Sequence, residues 1–563
     1  LDRLVAHAGR VELRVRRAWA GAAVLLAGLV LAGWLLGGDQ DPDLAPPLDW
    51  LSVAGWLGGA LFFGGALYAG RRLARRKPVG QAAGLLVVPV LLELLGASSF
   101  LPVNRATAPG ALTSLRPSVA HLLGDAGQAQ PGPPARFLSI SDIFFDPGDK
   151  PEIEINLDSQ LSPDAVYDYL IATKQKEVLI PNLPLYYRLP AMDGYDGGVL
   201  PLRRYVTLER LFMGEEGVAL DGRLRENLDA VPDATWLSLF NVRSVITDKV
   251  GDAWFDDVFY DLQMGARLAA GEQATVGEVP SMAATALGVV YRAPGAAPGT
   301  PLAEVALRFD DGQRRVLTLV TAAAAGEGDQ VARLRWAEPG RPVAIEFRGL
   351  WDAGALTIRG ASLIDERTGA FRSLVLSDSG RYRLAHSGDV KIYENLDVRP
   401  RLFFVPQAVT VADDEAALAV MGEVGFDPFS VVVLAGDPAV GVPGSAPAGS
   451  AAGDRPHSET TILLYEPERV LASVTAPTDG WLFLSDAWYP GWEARVDGRP
   501  VRVERADILF RAVAVAAGSH QVELLYRPRS FQTGVRISVA ALGLLVLAVA
   551  IGLVSRRPRS PRP

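Results

Sequence analysis

Ser485-Asp486-Ala487-Trp488-Tyr489-Pro490-Gly491-Trp492 is followed closely by Val496-Asp497-Gly498-Arg499-Pro500, then by a single apolar span, residues 534–554, and a basic tail. Trp492-Glu493-Ala494-Arg495-Val496 alternates between two faces, Asp497-Gly498 is a type I′ turn signal, and Val501-Arg502-Val503 resumes the alternation. That combination predicts a β-hairpin. Residues 509–515 and 522–526 add two strands around a turn at Gly518. The stretch therefore reads as an extracytoplasmic β-domain, residues 459–528, closed by a C-terminal transmembrane helix.

Working outward, 563 residues are too many for one compact domain. Hydrophobic residues make up 49% of the chain and mean hydropathy is positive, which fits a chain part membrane and part aqueous. Four stretches reach the roughly 20 apolar residues that a bilayer crossing needs: 18–37, 50–70, 79–98 and 534–554. The net charge of −9 hides a segregation. Five Arg lie in residues 1–17, five basic residues in 71–77 and four Arg after Val554, whereas residues 39–49 hold four Asp and nothing basic. Basic flanks stay in the cytoplasm. The expected topology puts both termini inside a bacterial cell membrane and residues 100–530 outside. Their position beside apolar spans makes topology, rather than nucleic-acid or anionic-lipid binding, the expected role of the Arg clusters. The chain has no Cys, which removes disulfides and thiol chemistry.

Between the spans, residues 100–135 read as a Pro-, Gly- and Ala-rich connector, and 136–262 as an α+β domain. Within it, Ser162 with Pro163 opens a helix, and Val178-Leu179-Ile180-Pro181-Asn182-Leu183-Pro184-Leu185 reads as a strand running into a turn. Residues 275–405 alternate in short strands separated by Gly, Asp and Pro turns, the pattern of a β-sandwich. Residues 406–458 form a mixed segment ending in a low-complexity linker. The fold class is thus a multi-pass α-helical membrane segment plus large extracytoplasmic α+β and all-β sandwich domains, closed by a C-terminal transmembrane helix.

Several separated phrases together resemble the YfhO family of bacterial integral membrane proteins. They are Asn104-Arg105-Ala106-Thr107-Ala108-Pro109, Arg136-Phe137-Leu138-Ser139, Pro181-Asn182-Leu183-Pro184, and Gly194-Tyr195-Asp196 with Arg204-Tyr205. Further on come Phe240-Asn241-Val242-Arg243-Ser244-Val245-Ile246-Thr247, Ile392-Tyr393-Glu394-Asn395 with Arg399-Pro400-Arg401, and the run from Trp488 to Pro500 with Ala517-Gly518-Ser519-His520. The resemblance implies a glycosyltransferase-like protein of the GT-C type, moving a sugar from a polyprenyl-phosphate carrier to an extracytoplasmic cell-wall or envelope polymer. It implies inverting chemistry, with an acidic residue near the membrane surface as base and the lipid phosphate as leaving group. In that architecture the acid sits in the first external loop, near the true N-terminus. The sequence opens on Leu1 rather than Met, so the chain is expected to lack that region and to be an N-terminally truncated fragment without the catalytic region.

Candidate sites follow from residue chemistry. Glu93 is an expensive carboxylate within an apolar span; it serves either a proton-handling or headgroup role, or simply reaches interfacial water near the helix end. Asp39-Gln40-Asp41-Pro42-Asp43 has the spacing of a base or of a divalent-cation site built from carboxylate oxygens, although an acidic outer loop is also what topology alone requires. Asp193, Tyr195 and Asp196 would contact an acceptor sugar, or else cap a Gly-rich turn. Trp481, Trp488, Tyr489 and Trp492 would form a carbohydrate platform, or else fill the core. His386, His457 and His520 show no ligand spacing, so no metal site is assigned to them. The expected partners are the lipid bilayer, the polyprenyl-phosphate-linked sugar as donor and the envelope polymer. The alternative to the enzyme is a non-catalytic, membrane-anchored carbohydrate-binding or envelope-assembly module.

Overall fold

The computed structural model describes Leu91, Leu94, Leu95 and residues 107–555, apart from 109, 128–131, 195–200, 214–223, 229, 322–327 and 436–457. The three expected N-terminal membrane spans therefore lie outside the described residues, save for those three leucines. The chain divides into two compact units, 1–106 and 107–563, and the second is described below. It is mostly β, with short helices and one long apolar helix at its end.

The first sheet is built on Val242–Thr247, five of whose six residues are buried. Arg136–Ser139 lies parallel to it on one side, Lys391–Asn395 antiparallel on the other, and Tyr382–Ser387 forms the edge. Lys391–Asn395 has four of its five residues buried, so both of its faces are covered. The α+β unit thus takes in 382–395 as well as 136–262. Ser162 caps Pro163–Glu177 by accepting a hydrogen bond from the Ala165 N–H. The expected strand over 178–185 is not formed. Leu179 and Asn182 adopt φ of 49° and 71°, and a short helix, Leu183–Tyr187, follows. Pro181 and Pro184 lack the N–H groups a strand would need, and left-handed residues reverse the chain rather than extend it.

Two antiparallel sheets follow. One holds Ala266–Leu268, Ala284–Arg292, Gln330–Gly340, Leu356–Asp365 and Ala370–Leu374; the other holds Gln273–Thr275, Pro301–Phe309, Arg314–Val320 and Pro342–Gly349. Leu287, Val305, Phe347 and Leu363 belong to one core shared by the two sheets, running from Ala266 to Leu376. The first and last residues of this insert meet. The Asp378 N–H donates to the Gly265 carbonyl at 3.3 Å, and Val276 bridges Leu376. A hairpin, Asp252–Phe255 with Val258–Asp261, ties the insert to the first sheet. There the buried Lys391 ammonium pairs with Asp252 and, at 3.0 Å, with Asp261.

The C-terminal part again has two sheets. The six-stranded one runs Leu402–Val405, Gly480–Leu484, Phe510–Val515, Val503–Ala506, Val431–Ala435 and Gln407–Val411, with the last two parallel. The helix Asp414–Met421 connects that parallel pair, capped by Asp413. Both faces of this sheet are apolar, one set for each direction of the strand alternation. Leu482, Leu484, Val513 and Val515 face the five-stranded sheet of Glu459–Glu466, Arg469–Ala476, Gly518–Tyr526, Trp492–Val496 and Arg499–Val501. Trp481, Phe483, Phe510 and Ala512 instead join Leu138, Leu208, Leu237, Phe240 and Val245 in one core. The α+β unit and the C-terminal sheets are therefore a single packed body, and each buried ring at this seam contributes roughly 2–3 kcal/mol over exposure.

The hairpin Trp492–Val496 and Arg499–Val501 turns through Asp497 and Gly498, at φ 51° and 78°, the geometry that the Asp-Gly pair predicts. After Tyr526 the chain enters the helix Arg529–Ser555. It is the one helix among the described residues long and apolar enough to cross a membrane, and none of its apolar window is buried.

Candidate functional site: a carboxylate among three arginines

Asp486 follows the strand Gly480–Leu484 and is 7% exposed. The Arg136 Nη2 donates to its Oδ1 at 2.7 Å, the Tyr465 hydroxyl donates to Oδ2 at 2.8 Å, and Arg511 Nη2 lies 3.1 Å from Oδ2. Arg401 Nη1 stands 3.9 Å from Oδ1 and donates to the Tyr465 hydroxyl at 3.1 Å. Three guanidiniums thus share one carboxylate, an excess of two positive charges. Much of that excess is met by dipoles and rings. Arg136 donates to the Phe240 carbonyl, and Arg401 to the Pro134 carbonyl and to Asn241 Oδ1. The Arg511 guanidinium lies 3.9 Å from the Trp492 ring centroid, a cation–π contact.

Burial works to raise the Asp486 carboxyl, but the charges of Arg136, Arg511 and Arg401 outweigh it and hold the group below the usual carboxylate range. Burial likewise pulls the Arg136 and Arg511 guanidiniums down, and burial followed by the Asp486 charge pushes the Tyr465 phenol up. A carboxylate held ionised in this way is a poor proton donor. Its strength is in fixing geometry. Arg136 begins the first strand, Arg401 precedes the six-stranded sheet, and Arg511 leads through Trp492 to Tyr526, 5.2 Å away, where the last strand ends. The cluster therefore joins the beginning and the end of the folded body.

The sequence candidates distribute around this cluster. Trp481 is buried on the opposite face of its sheet, in the core with Phe240. Trp488 and Trp492 pack against the core between the two C-terminal sheets, Trp488 donates from Nε1 to the Val503 carbonyl at 3.3 Å, and Tyr489 is 50% exposed. Trp481 therefore shares no face with the other aromatic residues. Both oxygens of Asp193 accept from Arg225, at 2.7 and 3.3 Å, in a pair whose side chains are nearly inaccessible. Tyr195, Asp196, Glu93, Asp39 and Asp41 lie outside the described residues, and so does His457. The structure brings several quoted phrases together: Arg136–Ser139 and Lys391–Asn395 flank Val242–Thr247, Arg401 donates to Asn241, and Arg204 stands 5.4 Å from the Trp488 ring and shares Asp414 with Arg505. Among the described residues, no group of three or more His, Asp and Glu could hold a metal ion.

Residue reading alone missed the cluster, although Arg136, Arg401 and Asp486 all stood in the quoted phrases. The available signal was a charged residue set in or beside an otherwise apolar strand: Arg136 before Phe137-Leu138, Arg511 between Phe510 and Ala512, and Asp486 after Leu482-Phe483-Leu484.

The described body is thus a β-rich unit with a buried ionic cluster at its junction and one C-terminal helix of membrane-spanning length. Residues 454–538 match a family described as bacterial membrane protein YfhO. The likeness to the YfhO family, the one that the resemblance implied, is thus carried by this C-terminal stretch. It is 28% identical over 87 residues to "Uncharacterized protein YfhO" of Bacillus subtilis (strain 168), a match covering 16% of this chain and 10% of that protein. Among solved structures, the arabinofuranosyltransferase AftD from Mycobacteria aligns at 14% identity over 59% of this chain and 27% of its own, with a TM-score of 0.14. A Paenibacillus cycloisomaltooligosaccharide glucanotransferase aligns at 13% identity over 50% of this chain and 44% of its own, with a TM-score of 0.11. Scores this low carry no argument about this chain.

Proposed function

We propose that this chain is the C-terminal part of a membrane glycosyltransferase of the GT-C type, which transfers a sugar from a polyprenyl-phosphate carrier to an extracytoplasmic cell-envelope acceptor. The observation that supports this reading is the YfhO match over residues 454–538, set on a β-domain whose last strand leads into a helix of membrane-spanning length. In the proposed reaction an acceptor hydroxyl oxygen attacks the anomeric carbon while a carboxylate takes the hydroxyl proton. The bond from that carbon to the phosphate oxygen breaks, and the carrier leaves as polyprenyl phosphate. Asp39, Asp41 and Glu93 are the carboxylates of this chain proposed near that chemistry. The described body holds the acceptor side, with the Asp486 cluster fixing its geometry.

A second reading, a non-catalytic carbohydrate-binding or assembly module, is favoured by the closed ion pairing of Asp193 and Asp486, which leaves both acids committed to structure. Membranes containing the native protein, given radiolabelled polyprenyl-phosphate sugars, are expected to pass label to envelope polymer. Equal transfer by membranes lacking the protein sinks the enzymatic reading. Retention of envelope polymer by the purified protein without any transfer supports the binding module.

A further inference from the structure

The last strand does not reach its apolar helix through a slack linker. The Arg527 N–H donates to the Gly491 carbonyl at 2.7 Å, and the Tyr526 N–H to the Glu468 carbonyl at 2.9 Å. Trp492 lies against Tyr526. Gly491, at φ +115°, approaches Pro528 so closely that a Cβ would stand 2.8 Å from its Cα. The base of the helix is thus clamped by the loop of residues 489–492 on one side and by the turn at Glu468 on the other.

Position then follows from length. Arg529–Ser555 has 27 residues, about 40 Å at 1.5 Å per residue, against a hydrocarbon layer about 30 Å thick. The surplus falls naturally in the first two turns, where Arg529, Gln532, Thr533 and Arg536 are found. The clamp therefore stands within about 10 Å of the hydrocarbon, close enough for an exposed side chain to enter the headgroup layer. The residues there have the right chemistry. Tyr489 is 50% and Phe531 70% exposed, and Arg527 and Arg529 flank the joint. Tyrosine and tryptophan favour the membrane–water interface because one end of each ring system is apolar and the other polar, and arginine pairs with lipid phosphate. The opposite end of the same sheet presents Asp497, Gly498 and Ser519 instead. An exposed tyrosine by itself needs no explanation; one fixed to the base of a membrane-spanning helix does.

We infer that the loop of residues 489–492, with Arg527 and Arg529, is seated in the lipid headgroup layer and holds the β-body upright on the membrane. This rests on the C-terminal helix spanning a bilayer and stands apart from the glycosyltransferase reading. Because the chain has no Cys, single-cysteine variants report one site each. The full chain is placed in vesicles of phosphatidylethanolamine and phosphatidylglycerol, with a fluorescent label on Tyr489→Cys, Pro490→Cys, Arg499→Cys or Leu545→Cys. Lipids bearing a nitroxide on the headgroup are expected to quench the labels at 489 and 490 several-fold more than the label at 499, while aqueous iodide does the reverse. Acyl-chain nitroxides should quench the label at 545. Labels at 489 and 490 that behave like the label at 499 overturn the inference. A label at 545 that no lipid quencher reaches overturns it too, by removing the membrane-spanning helix itself.

Discussion

Two of the ionic hubs in the described body are inversions of each other. At Asp486 one carboxylate serves Arg136, Arg401 and Arg511. At Arg116 one guanidinium serves Asp149, Glu177 and Asp389, at 2.7, 3.0 and 2.7 Å. The first is nearly closed from water, none of its four charged side chains more than 15% exposed, whereas in the second the Asp149 side chain remains 40% exposed. The fully buried Glu177 has further support from the Ser118 N–H at 3.2 Å. Burial raises the Glu177 carboxyl, with the Arg116 hydrogen bond and charge opposing it, and the guanidinium of Arg116 is held more basic despite its own partial burial. The difference teaches that the central group decides the vulnerability. Removing the shared partner leaves buried like charges, and how much that costs depends on how much water can reach them.

Asp486→Asn is expected to have the largest effect, because it leaves three buried guanidiniums facing a neutral amide. A loss of roughly 3–5 kcal/mol is the usual scale for such a change. Hydrogen exchange should speed up in Arg136–Ser139, Gly480–Leu484 and Phe510–Val515, while Ala284–Arg292 in the insert keeps its protection. Unchanged exchange in all of them would break the comparison.

Arg116→Met should cost less, about 2–3 kcal/mol at neutral pH, the scale of hydrogen bonds to charged groups, since water already reaches part of that hub. It should also depend on pH. The raised carboxyl of Glu177 makes stability greatest below the ordinary glutamate range and lower as pH rises through the folded-state value. Without Arg116 that value moves higher still, so the deficit of the variant should shrink between pH 7 and pH 5. Thermal unfolding at the two pH values checks this, and a deficit that grows on acidification would contradict it.

Glu366→Gln sets the lower end of the scale. Its partner Arg335 is 61% exposed on the insert, and pairs of that kind are worth about 1 kcal/mol or less. A melting temperature lowered as far as by Asp486→Asn would mean that burial is not what separates these ion pairs.

Local signals were legible where the chemistry is local. Asp497-Gly498 gave its hairpin, Ser162-Pro163 its helix start, and the apolar run after Arg529 its long helix. Prolines 181 and 184 were readable as strand breakers but were outweighed by the apolar run around them. The return of Lys391–Asn395 to the first sheet was not legible, since its partner strand lies well over a hundred residues earlier and alternation alone does not name a partner. The Asp486 hub is further out of reach: Arg136 and Asp486 stand 350 positions apart, and only packing brings them together. The aromatic run 488–492 was ambiguous in sequence, because one alternating pattern serves core and glycan platform alike; Trp488 and Trp492 pack against the core and Tyr489 stays half-exposed.

The insert of residues 266–376 leaves and rejoins the body where the Asp378 N–H meets the Gly265 carbonyl, and it also packs on the 252–261 hairpin through Tyr260, Ala286, Val290 and Ile364. Loop-closure entropy grows only slowly with length, so an insert of this size, whose two ends lie side by side, adds little entropic burden to the body that carries it.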